Sequence, residues 1–157
     1  MSTAAHALSG AYLGVVIAHV APSETAYILT ALASGGVLDL DHVYYFIRDW
    51  KYYRKNGFVG TMHHARSVLH ELIGFTGISA IALLLSFMNL KLALVIGIPV
   101  MIHIAEDIIM GKSMPLAPFD NTEIQVIPGN MRLKILIDIV VILIFSFLWI
   151  QYLNVQL

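Results

Sequence analysis

The 157-residue chain contains no cysteine. Disulfides, thiolate nucleophiles and sulfur-ligated zinc or iron–sulfur sites are therefore excluded, leaving histidine and carboxylate as the side chains that could grip a metal. Charge is scarce too: 12% of residues are Asp, Glu, Lys or Arg, against 59% hydrophobic and a mean hydropathy of +0.81. A soluble domain carries about twice that charge, so the composition is that of a polytopic membrane protein, and its length suits one domain, residues 1–157. Net charge is −1 with histidines neutral, and the basic residues form no long stripe. The electrostatic footprint of a nucleic-acid binder is missing, and no DNA or RNA partner is expected.

What is present is apolar sequence in blocks. The pattern predicts an all-α bundle of about five membrane helices, near residues 4–21, 24–46, 63–87, 92–110 and 132–153. The first block lacks the basic start of a signal peptide and carries His6, so it reads as a retained span. Pro22 ends it, and Ser23 is expected to cap the second helix, with Glu24 in its first turn. Between Arg48 and Gly60, basic residues alternate with Trp50, Tyr52 and Tyr53, the composition of a loop lying against headgroups. Pro99 is expected to kink the fourth helix just before His103.

Ionisable groups stand out against this background because they are costly inside an apolar span. His103 and Asp107 are four apart and share a helix face, where an imidazole and a carboxylate can grip one cation. Asp39, Asp41 and His42 end the second helix; two carboxylates fit poorly at a helix C-terminus, where the dipole prefers cations, and that misfit points to a bound cation. His63, His64 and His70 open the third helix. His64 and His70 diverge if that segment is fully helical, but either could reach inward if the helix starts only near Ala65. Glu71 and Glu106 adjoin these candidates without sharing their faces, and Asp138 is either a group behind the ligands or a partner for Arg132.

Each group has a plain structural alternative: an interfacial histidine, a solvated helix end, a surface acid. Topology argues against that alternative for the set as a whole. Loops two-to-three and four-to-five hold eight of the nine basic residues, with Lys91 alone on the other side. The positive-inside rule puts those loops, the N-terminus and all four ionisable clusters on the cytoplasmic face, and the C-terminus opposite. His19 falls at the other end and is excluded. The groups outnumber the four ligands of a structural zinc and could serve a one- or two-metal centre with an open position for water.

The order of motifs resembles the membrane-bound metal-dependent hydrolases, catalogued as inner-membrane-associated hydrolases and distantly similar to zinc-dependent phospholipase C and P1 nuclease. The resemblance rests on His6-Ala7-Leu8-Ser9-Gly10, Leu38-Asp39-Leu40-Asp41-His42, His64 to His70, His103 to Asp107, Gly111 and Pro118-Phe119. The chain departs from the family's pattern at Val37-Leu38, where a proline is usual. It also departs in the third motif, which lacks Gly-x-Thr and has Glu71 in place of serine. The resemblance implies a metal shell of His6, Asp39, Asp41, His42, His64, His70, His103 and Asp107, with Glu71 or Glu106 as general base.

The expectation is thus a metal-dependent hydrolase of the prokaryotic inner membrane, acting at headgroup depth on a phosphoester or lipid-like ester. Zinc is favoured by the histidines, with manganese or magnesium compatible with the acids. The alternative is a non-enzymatic accessory subunit packing against partner helices of a larger membrane complex. Haem is disfavoured by the abundance of carboxylates.

Overall fold

The computed structural model describes residues 2–48, 50–56, 68–120, 122–127 and 131–154. It is helical throughout except for a two-stranded antiparallel ribbon, β1 (Lys112–Ser113) with β2 (Ile124–Gln125). The helices are α1 (Thr3–Ile17), α2 (Thr25–Val37), α3 (Leu40–Arg48), α4 (Trp50–Asn56), α5 (Leu72–Ser86), α6 (Leu90–Met110) and α7 (Met131–Asn154). A 3₁₀ turn, Val68–His70, precedes α5.

Local chemistry sets several of these ends. Ser2 caps α1, its Oγ accepting the Ala5 N–H, while Asn89 caps α6 by accepting from Leu92. Helix α1 closes with the Val20 N–H on the Val15 carbonyl and the His19 N–H on that of Val16. This pattern places His19 in the left-handed region at φ 49°, a position that usually takes glycine. Ser23 does not cap α2. Glu24 stands at the capping position, and its carboxylate accepts the Ala21 N–H at 2.8 Å and pairs with Lys91 at 2.9 Å.

Close approach of α1, α2 and α6 is built on small residues. A Cβ at Gly10 would come within 2.9 Å of the Pro99 carbonyl oxygen, and one at Gly14 within 3.0 Å of the Pro99 ring. The Gly10-x-x-x-Gly14 face of α1 therefore receives Pro99, and α6 runs on helically through the proline from residue 90 to 110. Gly35 does the same between α2 and α1, where a Cβ would meet the Ala7 Cα at 3.0 Å. The core lies among these three helices: Ala11, Val15, Ile28, Ala31 and Val95, closed by Trp149 of α7. Two further bonds fix α7 alongside α1: Trp149 Nε1–H donates to the Leu8 carbonyl (3.1 Å) and the Tyr152 hydroxyl to that of Val20 (2.6 Å).

The bundle differs from the five-span expectation. Among the described residues two helices, α6 and residues 132–154 of α7, are long and apolar enough to cross a membrane. At 15, 13 and 15 residues, α1, α2 and α5 fall short of the roughly 20 that a full crossing takes. The second predicted helix, 24–46, is two helices broken at Leu38–Asp39, and the headgroup loop is helical over Trp50–Asn56. That break changes the electrostatics of the acidic motif. Asp41 stands in the first turn of α3, where the helix dipole favours carboxylates, so the expected misfit at a C-terminus does not apply to it, while Asp39 lies between the α2 C-cap, Leu38, and the start of α3.

Candidate metal centre

Four elements converge at one end of the bundle. Helix α1 brings His6, the junction of α2 and α3 brings Asp39, and the last turns of α6 bring His103 and Asp107. The 3₁₀ turn adds His70 beside them. All five side chains are buried. One ligand atom from each of His6, Asp39, His103 and Asp107 lies within 4.8 Å of the others.

The histidines are held from behind. His103 Nδ1 is 2.7 Å from the Gly35 carbonyl, which can only accept, so this nitrogen carries the proton and Nε2 presents a bare lone pair. His6 Nδ1–H donates to Glu106 Oε2 at 2.7 Å, and Glu106 Oε1 accepts the Ser9 hydroxyl at 2.7 Å. In the neutral ring His6 Nε2 is thereby the lone pair, turned toward the cluster. Among the described residues neither Nε2 has a hydrogen-bond partner, although both are fully buried. The two rings stack with centroids 3.9 Å apart and planes 15° from parallel, an arrangement that two imidazolium cations would resist.

What the two nitrogens do face is carboxylate. His6 Nε2 is 3.2 Å from Asp107 Oδ1, and His103 Nε2 is 3.4 Å from Asp39 Oδ1 and 3.7 Å from Asp107 Oδ2. Ligands bound at about 2.0–2.1 Å to one tetrahedral ion lie about 3.3–3.4 Å apart, and the three separations bracket that figure. Buried lone pairs directed at carboxylates repel unless a cation or proton lies between them. The residues present therefore fit a divalent metal, with two imidazoles and two carboxylates as donors and both imidazoles oriented by outer partners.

The remaining candidates fall elsewhere. His70 Nε2 is 3.9 Å from Asp107 Oδ2, adjoining the group of four without belonging to it. Asp41 and His42 lie in α3, but their side chains are outside the described residues, as is all of His64 together with His63. Glu106 stands behind His6, on the ring nitrogen away from the cluster. Glu71 is tied to the loop after α6, accepting from the Ser113 hydroxyl and, at 3.0 Å, from the Met114 N–H. Asp138 reaches the N-terminus of α1, accepting the Ser2 N–H at 2.8 Å.

Sequence reasoning missed Ser9, the orienting role of Glu106 and the Gly35 carbonyl. A signal existed for the first: His6 and Ser9 are three apart on one face of an otherwise apolar helix, opposite the acid next to Asp107. A backbone carbonyl as partner carries no such mark. A family model described as YdjM inner membrane protein matches residues 1–156, and this match carries no likeness to hydrolases, phospholipase C or P1 nuclease. No curated protein and no solved structure matches the chain.

Proposed function

Since the chain belongs to the YdjM inner membrane protein family, its helices are read in a bilayer, and we propose that it is a divalent-metal protein of the inner membrane with hydrolytic chemistry at its cytoplasmic face. One observation carries the reading: two buried, stacked histidines are each held from behind at Nδ1, which turns both Nε2 atoms toward Asp39 and Asp107. His6, Asp39, His103 and Asp107 would hold the ion. Zinc suits two imidazoles and two carboxylates, with manganese or magnesium next.

A bound divalent ion supplies Lewis acidity and makes water nucleophilic near neutral pH, the chemistry of phosphoester and carboxylic ester hydrolysis. The chain's own residues do the rest. Gly35 and Glu106 hold the two imidazoles in register, Ser9 fixes Glu106, and the packing of α1 on α6 excludes bulk water from the ring faces. Both oxygens of Glu106 and of Glu71 already accept hydrogen bonds, which leaves His70 as the better placed group to take a proton beside Asp107.

Orientation follows from charge. The cluster lies at the end of α6 that Lys112 follows and beside the end of α7 that carries Arg132 and Lys134, cations that the positive-inside rule assigns to the cytoplasm, while Glu24 and Lys91 pair at the other end. The N-terminus then lies beside the site, and α7 carries the C-terminus to the opposite side. A site at that depth suits a phosphoester presented by a membrane lipid.

The test is elemental analysis of protein purified without chelator, alongside a His103→Ala, Asp107→Ala variant. About one divalent ion per chain, absent from the variant, is expected; no ion in the wild type would end the reading. Release of product from phospholipid or a generic phosphodiester tests the hydrolytic part separately. A non-enzymatic accessory subunit is the second reading, favoured by α7, whose Leu136, Leu143, Ile144 and Phe147 remain exposed in the bundle. Co-purification at fixed stoichiometry, with complex activity unchanged by His103→Ala, would support it.

A further inference from the structure

Helix α3 was expected to be the end of a membrane span, but its surface is that of a helix lying at an interface. Leu40, Val43, Tyr44 and Ile47 occupy positions i, i+3, i+4 and i+7, which place them on one face, and they are 64, 54, 64 and 68% exposed. Trp50 at the start of α4 is exposed as well. The cations Arg48, Lys51, Arg54 and Lys55 follow within eight residues, against the single acid Asp49, and all four are exposed. At nine residues α3 rises about 14 Å, half of what a crossing needs, and it carries Asp41, His42 and Arg48.

An apolar stripe of this width, beside a cluster of net positive charge, is complementary to one surface in particular. The boundary between acyl chains and anionic headgroups accepts the stripe, and the phosphates accept the cations, each lysine or arginine near such a surface strengthening attachment about fivefold. A protein partner would need to match the same stripe and charge, whereas in an inner membrane protein the leaflet is already adjacent. Asp39 sits in the turn immediately before α3, its backbone N–H on the Gly36 carbonyl at 3.2 Å. Whatever fixes α3 therefore fixes that carboxylate relative to His103.

We propose that α3 and α4 dock in the plane of the cytoplasmic leaflet on anionic phospholipid, and that this docking holds Asp39 in the metal cluster. The second half rests on the metal reading above; the first does not. Docking makes the cluster responsive to the lipid around it. In a neutral membrane α3 loses the headgroup contacts, and Asp39 loses the anchor on its C-terminal side while keeping that of α2.

The experiment uses full-length protein in nanodiscs of phosphatidylglycerol with phosphatidylcholine, or of phosphatidylcholine alone. Nitroxide labels at Val43 and Ile47 are compared for collision with oxygen and with a water-soluble nickel chelate. In anionic discs both labels should sit about 5–10 Å below the headgroups. In neutral discs, or in a Lys51→Ser, Arg54→Ser, Lys55→Ser variant, both should become water-accessible. Labels at the bilayer midplane, labels shielded from both reagents, or labels in water in both lipids would each overturn the docking. Cobalt titration of unlabelled protein is the second arm. Anionic lipid should tighten binding severalfold in the wild type and leave Asp39→Ala unchanged. Equal affinity in both lipids would refute the anchoring of Asp39. Absence of cobalt binding in either lipid would refute the metal reading and leave the labels to decide the docking.

Discussion

The hydrogen bond from His6 to Glu106 offers the most direct measure of whether the cluster is built to bind metal. Glu106 Oε2 holds Nδ1–H at 2.7 Å while Oε1 holds the Ser9 hydroxyl, so the carboxylate has no freedom to swing. Replacing it with glutamine keeps shape and both contacts, because the amide oxygen can accept from His6 and its NH₂ can donate to Ser9. Only the charge is lost. A charge-assisted bond is worth about 1.5–3 kcal/mol and a neutral one about 0.5–1.5, so Glu106→Gln should weaken metal affinity about fivefold to tenfold. Glu106→Leu removes the acceptor altogether and frees the ring to adopt the other tautomer, which should cost about 10–100-fold. The assay is competitive cobalt or zinc titration in detergent, with circular dichroism confirming that helicity is retained. Ser9→Ala should weaken binding in the wild-type background and add nothing to Glu106→Leu, since the serine acts only through the acid. Equal affinity of the glutamine and leucine variants, or a leucine variant within about twofold of wild type, would refute the reasoning.

Further outcomes follow from the scaffold. A Cβ at Gly74 would collide with the Leu69 carbonyl, so Gly74→Ala should displace the turn that carries His70 and lower any hydrolytic turnover while leaving metal content intact. Gly10→Val drives a side chain into the Pro99 backbone and should cost about 1–3 kcal/mol of stability, read as an earlier detergent-induced unfolding midpoint. His19→Gly relieves a left-handed φ of 49° and should raise that midpoint, with a gain of up to about 1 kcal/mol. The Ala21 N–H, and then Lys91, hold the Glu24 carboxyl below its ordinary value. Its folded value is the depressed one, so its contribution is present above the unfolded carboxylate range, near pH 4.5, and is lost as pH falls through the folded value. The stability difference between wild type and Glu24→Gln should therefore narrow below about that pH and not above it.

How far the sequence could be read depended on whether the cause was local. His103 and Asp107 were legible because a four-residue spacing on one helix fixes their common face, and the structure puts both in the cluster. His6 and Asp39 were legible through the charge asymmetry of the loops and the order of the motifs rather than through any local spacing, and both join them. The break at Leu38–Asp39 was not legible, because an apolar run followed by Val43 to Ile47 reads as one continuing helix. Without that break the dipole argument for Asp41 pointed the wrong way. The partner of Pro99 was not legible either, because the glycines that leave room for its ring, Gly10 and Gly14, lie on a neighbouring helix.

The same glycines bear on why a small apolar chain would hold so polar a cluster. Two carboxylates and two bare imidazole nitrogens resist being brought together, and the main term opposing that resistance is helix packing. Gly10 and Gly14 sit one and two turns from His6 on α1, and Pro99 sits one turn before His103 on α6, so a close approach of two helices adjoins the cluster. Gly35 both admits α1 against α2 and lends its carbonyl to His103, so one residue sets the distance between helices and the tautomer of a ligand. Packing thus places the four groups, and the outer hydrogen bonds of the two imidazoles aim them. A core needing only apolar burial would have no use for Glu106 and Ser9 beside His6, and that surplus of buried polarity is the strongest argument that the cluster serves a ligand.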